Sequence, residues 1–161
     1  ALVLMYKSGA FSLGQMYAAR ALLEPMIIEQ LMRQPDADEV VRGLRAEAAT
    51  AEASFFRGEI RTGFIVDFHA RLAKNVANPA LSLLTSSLVS ATLDINKVYT
   101  GFQPRTEELI ECHRHIAILM ARGELDAAKE AMASHLRDTS EFYEQLENHA
   151  TMPAQATTRG T

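Results

Sequence analysis

A helical hairpin between residues 107 and 136 constrains the fold of this chain more than any other feature. In each arm, apolar side chains recur at the spacing of a buried helix face, and each face includes one histidine, His113 or His135. Gly123 fits the left-handed residue that ends a helix, and the short loop after it allows only an antiparallel neighbour. His113 lies ten residues before Gly123 and His135 twelve after it, so at about 1.5 Å of rise per residue both lie at nearly the same height. The hairpin therefore predicts that two imidazoles meet across one interface.

The composition favours a single all-helical domain. The 161 residues are 48% hydrophobic, which is enough for one sizeable core. The chain has only 8 glycines and 5 prolines, and its long stretches rich in Ala, Leu, Met, Glu and Arg favour helices over strands. A net charge of −4 argues against this part of a protein gripping a phosphate backbone. Any contact with DNA is therefore expected from another domain.

Two absences in the sequence bear on the compartment. Cys112 is the single cysteine, which excludes an internal disulfide and suits a reducing environment. No apolar run approaches the roughly 20 residues of a membrane span, and no signal-peptide pattern is present. We therefore expect a cytoplasmic protein without a membrane partner.

Start and stop signals divide the chain into a short leading helix and six further helices. Ser12 with Gln15, and Asp36 with Glu39, have the spacing of capping boxes, and Asn78 is an N-cap followed by a proline. The predicted boundaries lie near residues 1–8, 12–33 with a kink at Pro25, 36–55, 59–76, 78–99, 104–123 and 123–148. The tail at residues 150–161 is predicted to be disordered.

A third histidine, His69, lies on the apolar face of the helix predicted at residues 59–76. One such histidine is usually a core residue with its hydrogen bonds satisfied. Three of them on separate helices suggest a shared partner, because burying an unpaired imidazole is costly and neutral imidazole is a common ligand of zinc, nickel and iron. A hydrogen-bonded polar cluster, or no cluster, remains the alternative. Asp67 is turned about 200° away from His69 along the helix, and Ile65, one turn before His69, has no ligand atom.

Three segments carry a resemblance to a known family: ARALLEP at 19–25, FHARLAKNVANP at 68–79, and CHRHIAILMARGELDAAKEAM at 112–132, followed by HL at 135–136. Their order and spacing resemble the FCD domain, the C-terminal effector-binding domain of FadR-type regulators in the GntR family. The resemblance implies an all-α fold, an antiparallel bundle of six to seven helices around a central cavity. It assigns residues 1–149 to an effector-binding and dimerisation domain. The N-terminal winged helix-turn-helix domain of such regulators is absent from this chain.

The resemblance also implies a metal site. Many members of the family bind a divalent metal through one aspartate and three histidines, and His69, His113 and His135 fall on the three histidine positions. Ile65 falls on the aspartate position, so three imidazoles are left to hold zinc, nickel or iron with positions free for water or an effector carboxylate. Arg20 falls where the family places a cavity-facing arginine that can pair with an effector carboxylate. The alternative for Arg20 is a structural salt bridge with Glu24.

The function implied by the resemblance is ligand sensing. A small organic acid or a lipid-like acid would enter the cavity, bias helix packing and alter DNA binding by the upstream domain of a homodimeric regulator. One competing hypothesis is a small helical metalloenzyme, although the sequence has neither a GxSxG nor an HExxH motif and no carboxylate at a spacing that suggests a general base. The other is a dimerisation domain with a vestigial cavity. We expect a regulator rather than an enzyme.

Overall fold

The computed structural model of the chain describes residues 1–59, 63–96 and 106–151, with side chains from residue 68 in the second range and up to residue 148 in the third. Its described elements are seven helices: α1 Leu2–Lys7, α2 Leu13–Met32, α3 Ala37–Phe56, α4 Gly63–Asn75, α5 Pro79–Asn96, α6 Thr106–Ala121 and α7 Leu125–Thr151. No strand occurs within these ranges. The predicted all-α fold is confirmed.

Helix α2 is the centre of the bundle. It packs along α7 and also contacts α3, α4 and α5, while α3 packs against α6 and α4. Because neighbours surround it, α2 buries residues on several faces and runs without interruption through Pro25. Its buried set combines a large apolar group with one charged pair, Arg20 and Glu24. The central helix therefore contributes buried charged groups to the interior of the bundle.

The helix starts agree with the sequence at two places. At Ser12 the capping box is complete, since the Gln15 amide nitrogen lies 3.0 Å from Ser12 Oγ and Ser12 N lies 2.9 Å from Gln15 Oε1. The Asn78 side-chain oxygen accepts from the amide nitrogens of Ala80 and Leu81, at 3.0 and 3.2 Å. Both signals work because a side-chain oxygen satisfies amides that have no partner within the helix.

The capping box predicted at Asp36 is wrong. Asp36 precedes α3, but its side chain accepts no cap hydrogen bond. Instead its carboxylate accepts from Gln34 Nε2 at 3.3 Å. Gln34 also donates to the Asn75 carbonyl at 2.9 Å and accepts from the Ala77 amide at 2.6 Å, so it ties the start of α3 to the end of α4. Hydrogen bonds from Gln34 to the end of α4 therefore take the place of a local cap at Asp36.

The hairpin of α6 and α7 forms as predicted. Gly123 adopts φ +71°, the left-handed conformation that glycine reaches without strain. Its amide donates to the Met120 carbonyl at 3.0 Å, and the amide of Glu124 donates to the Leu119 carbonyl at 3.0 Å. This pair of bonds satisfies the last carbonyls of α6 and reverses the chain into α7.

Other boundaries differ from the prediction by a few residues. Helix α7 continues to Thr151, so the first two residues of the segment predicted to be disordered are helical. Helix α4 is described from Gly63 rather than from about residue 59. Pro104, the predicted start of α6, and residues 152–161 lie outside the described ranges.

None of the helices in the described part of the chain is long and apolar enough to cross a membrane.

Candidate metal and effector site

Three helices bring three buried histidines together. His69 comes from α4, His113 from α6 and His135 from α7, and their exposed fractions are 4%, 3% and 6%. The Nε2 atom of His113 lies 3.0 Å from that of His69 and 3.1 Å from that of His135, and the remaining pair is 3.4 Å apart. The predicted meeting of His113 and His135 across the hairpin is confirmed, and His69 completes the cluster. His115, on another face of α6, is exposed, as its spacing indicates.

These separations match those of ligands around one metal ion. Three nitrogens at about 2.0–2.1 Å from zinc, with angles between 90° and the tetrahedral value, are about 2.9–3.4 Å apart. All three observed distances fall within that interval. Within the described residues, this histidine group is the set of ligand atoms close enough to hold a metal.

Hydrogen bonds among the three rings alone do not satisfy all three Nε2 atoms of the cluster. The Nε2 atom of a neutral imidazole carries either one proton or one lone pair. If His113 donated to both neighbours, the lone pairs of His69 and His135 would still face each other at 3.4 Å. A cation at the centre would accept all three lone pairs, so the donor set fits a metal.

The electrostatics keep the imidazoles of His69 and His113 in the neutral, ligating form. Burial lowers the pKa of His113 well below its ordinary value, and the neighbouring His69, His135 and Arg20 lower it further. Burial also lowers the pKa of His69, although the Glu24 carboxylate opposes that shift. Neutral imidazole is the form that binds metal.

Packing holds the rings in position. The ring of Phe68 stacks on His113, with centroids 4.5 Å apart and an interplanar angle of 7°. The rings of His69 and His135 are nearly parallel at 5.4 Å, and His113 is nearly perpendicular to both. An apolar wall on one side and mutual ring contacts on the other limit rotation about the side-chain torsions.

Glu24 is the residue of the site that sequence reasoning missed. Its side chain is 0% exposed, and its Oε2 lies 2.5 Å from His69 Nδ1 while its Oε1 lies 2.6 Å from Arg20 Nε. Burial alone would raise the pKa of Glu24, but the charge of Arg20 and the hydrogen bonds from Arg20 and His69 outweigh it and lower that pKa to about 2. The carboxylate is therefore ionised. The available signal was its position one turn after Arg20, which indicated a salt bridge but not a link to a histidine on another helix.

Arg20 is buried, with 3% of its surface exposed, and its guanidinium group lies close to polar and aromatic side chains. Nε pairs with Glu24, Nη1 lies 3.4 Å from Thr92 Oγ1, and the guanidinium carbon lies 5.0 Å from the centroid of the Tyr17 ring. Nη2 is buried without a hydrogen-bond partner. Arg20 therefore forms the salt bridge with Glu24 and still presents one donor nitrogen for an acceptor such as a carboxylate.

Two positions singled out in the sequence lie in the first turns of α4. The side chains of Ile65, which the resemblance aligns with an aspartate, and of Asp67 lie outside the described residues. The central cavity implied by the resemblance stays a prediction, as does the assignment of Arg20, His69, His113 and His135 to effector binding.

Comparison with protein-family models identifies the FCD domain over residues 15–138. This range includes Arg20, Glu24 and the three histidines. Neither the curated proteins nor the solved structures provide a significant match.

Proposed function

Because the chain belongs to the FCD family, the ligand-sensing C-terminal domains of GntR-type regulators, we propose that it senses a small carboxylate or acyl effector through a metal held by three histidines. The observation that carries this proposal is the convergence of three buried Nε2 atoms at 3.0, 3.1 and 3.4 Å. Zinc, nickel or iron suits this nitrogen donor set.

The residues divide the work of binding an effector. His69, His113 and His135 would hold the metal, and three protein ligands leave coordination positions free for an effector oxygen. A metal bound there would supply a fixed positive charge and Lewis acidity. Arg20 Nη2 supplies a second positive donor, which a carboxylate can satisfy with its other oxygen.

Effector binding would then act on helix packing. The polar residues of the site come from α2, α4, α6 and α7, so a ligand that joins them favours one arrangement of these four helices. We propose that this arrangement changes how an upstream winged helix-turn-helix domain binds DNA in a homodimeric regulator. The net charge of −4 agrees with DNA contact through that other domain.

The metalloenzyme hypothesis is weaker at this site. A hydrolytic metal centre needs a base within reach of the metal-bound water. Glu24 is a carboxylate that contacts the histidine cluster, and both of its oxygens already bind Arg20 and His69. A buried, fully engaged carboxylate does not serve as that base. The unpartnered Arg20 Nη2 likewise favours a functional site over a vestigial one.

Metal content tests the first part of the proposal. Protein purified without chelator and without a histidine tag should contain about one zinc, nickel or iron per chain by elemental analysis. The variant His69→Ala/His113→Ala/His135→Ala should lose it, because no ligand nitrogen remains. His115→Ala is the matched control, since His115 is an exposed histidine on the same helix as His113. Wild-type protein that stays metal-free after incubation with each metal would contradict the metal site and direct the search to hydrophobic acids and acyl thioesters.

Thermal shifts with a library of carboxylates test the role of Arg20. A ligand at one hundred times its dissociation constant stabilises the folded state by about 2.7 kcal/mol, which is a measurable shift. Arg20→Ala should abolish the shift without unfolding the protein. Arg33→Ala, which removes an exposed arginine at the end of α2, should preserve it. An unchanged shift in Arg20→Ala would remove Arg20 from the effector site.

A further inference from the structure

Glu24 joins the two halves of the proposed site. Its carboxylate lies fully buried between Arg20 on its own helix and His69 on α4, at 2.6 Å and 2.5 Å. Each oxygen has one partner, so the carboxylate is shared between the proposed anion-binding arginine and a proposed metal ligand. Glu24 thereby brings a carboxylate into direct contact with the histidine cluster.

The contact with Glu24 determines which nitrogen of His69 carries the proton. An ionised carboxylate only accepts hydrogen bonds, so at 2.5 Å the Nδ1 atom of His69 must be the donor. A neutral imidazole that is protonated at Nδ1 has its lone pair at Nε2. That lone pair then points to where Nε2 of His113 and Nε2 of His135 also lie.

We propose that Glu24 is a positioning residue that presets His69 as a metal ligand before any metal arrives. This positioning role rests on the proposed metal site, whereas the protonation of His69 at Nδ1 rests on the observed contacts alone. Glu24 selects the Nδ1-protonated tautomer and fixes the ring orientation, and it increases the basicity of the ligating nitrogen by accepting a hydrogen bond from the other one. Arg20 in turn holds Glu24 in place through Oε1.

The same chain of contacts explains why α2 carries a buried carboxylate. An unpaired carboxylate at 0% exposure would be strongly unfavourable, but here two donors satisfy it. A purely structural salt bridge would need only Arg20. The second oxygen adds a contact across the bundle to a ring whose other nitrogen belongs to the candidate metal centre.

The first test needs no metal, and the tautomer is read in the wild-type protein. Long-range ¹H–¹⁵N spectra of the imidazole rings in metal-free wild-type protein at neutral pH report the protonated nitrogen of each histidine, and His69→Gln assigns the His69 signal by its loss. We expect His69 to be protonated at Nδ1 and not at Nε2. An Nε2-protonated His69 as the main tautomer would overturn the proposal.

The second test measures zinc affinity of Glu24→Gln by competition with a chromogenic chelator. A glutamine in either orientation places an amide donor against Arg20 or against His69 Nδ1, so it satisfies only one of them. We expect zinc binding to weaken by about 10- to 100-fold, the range for lost outer partners of metal-ligating histidines, together with a mixture of His69 tautomers. Glu29→Gln on the same helix is the control, because Glu29 pairs with Lys129 and Arg33 outside the site.

A variant that fails to fold and a protein that binds no metal can both be told apart from a failure of the Glu24 proposal. If Glu24→Gln does not fold, Arg20→Met/Glu24→Met removes both charges together and leaves His69 Nδ1 without an acceptor, so it is measured in the same way with the same expected loss. Unchanged zinc affinity and an unchanged tautomer in the folded variant would overturn the proposal. If wild-type protein binds no metal, the proposed function fails, whereas the tautomer measurement still decides whether Glu24 positions His69.

Discussion

At the scale of single residues, the pair of Arg20 and Glu24 is the most consequential interaction in the interior. Both side chains are almost fully buried, at 4% and 0% exposure, so each depends on the other to offset the cost of losing water. Removing one partner of a buried pair leaves an uncompensated charge, which costs far more than the intact pair contributes. The pair therefore matters most when it is broken from one side only.

A double-mutant cycle measures this dependence. Arg20→Met and Glu24→Gln should each lower the free energy of unfolding of metal-free protein by about 3–5 kcal/mol, because each leaves a buried polar group or charge unpaired. The double variant should lose clearly less than the sum of the two losses, as measured by urea unfolding. Arg33→Met, which breaks an exposed pair with Glu29, should change the free energy by less than about 0.5 kcal/mol. Additive losses at Arg20 and Glu24 would contradict the coupling.

At the scale of elements, two helices begin with residues of similar capping propensity but different contacts. Asn78 binds the amides of Ala80 and Leu81 at the start of α5, while Asp36 binds none at the start of α3. The loop at Asp36 is held instead by Gln34, which reaches the end of α4. The residue type alone therefore does not determine the energetic value of a cap.

This difference predicts unequal effects of the same substitution. Asn78→Ala should lower the free energy of unfolding by about 1 kcal/mol, since two amides lose their acceptor. Asp36→Ala should lower it by less than about 0.5 kcal/mol, the usual range for exposed positions without such a contact. Urea unfolding of the two variants beside wild-type protein makes the comparison. Equal losses would show that Asp36 caps α3 in solution.

Also at the scale of elements, the hairpin explains why the meeting of two of the three histidines could be predicted. Gly123 places α6 and α7 side by side, and residue counts from the glycine fix the relative heights of His113 and His135. Their Nε2 atoms are 3.1 Å apart, which agrees with the equal heights that this count predicts. The position of His69 relative to the hairpin has no such local reference, because α4 is separated from α6 by another helix and a long stretch of chain. The buried face of His69 suggested a partner shared with the other two histidines, but spacing gave no position for His69 relative to them.

At the scale of the whole molecule, the histidine cluster joins α4 to both arms of the hairpin, and Glu24 adds α2. A metal at this position would act as a crosslink between helices that are distant in the sequence. Since the ligand nitrogens come together only in the folded state, metal binding adds directly to the stability of the fold.

Metal addition should therefore raise the melting temperature. At a free zinc concentration of one hundred times the dissociation constant, the folded state gains about 2.7 kcal/mol, which corresponds to about 5–10 °C for a domain of this size. A chelator should reverse the rise. The variant with His69, His113 and His135 replaced by alanine should show no rise under the same conditions, and an equal rise in that variant would place the metal elsewhere.

The sequence by itself determined whatever depends on near neighbours: the helical periodicity, the capping box at Ser12, the cap at Asn78, the turn at Gly123 and the inward faces of the three histidines. These features follow from hydrogen bonds and side-chain directions within a few residues, which spacing encodes directly. Only the tertiary structure decided that Gln34 replaces the cap at Asp36, and that Glu24 binds both Arg20 and His69. Glu24 and His69 are 45 residues apart, so their contact depends on how α2 and α4 pack, and no local pattern records that choice.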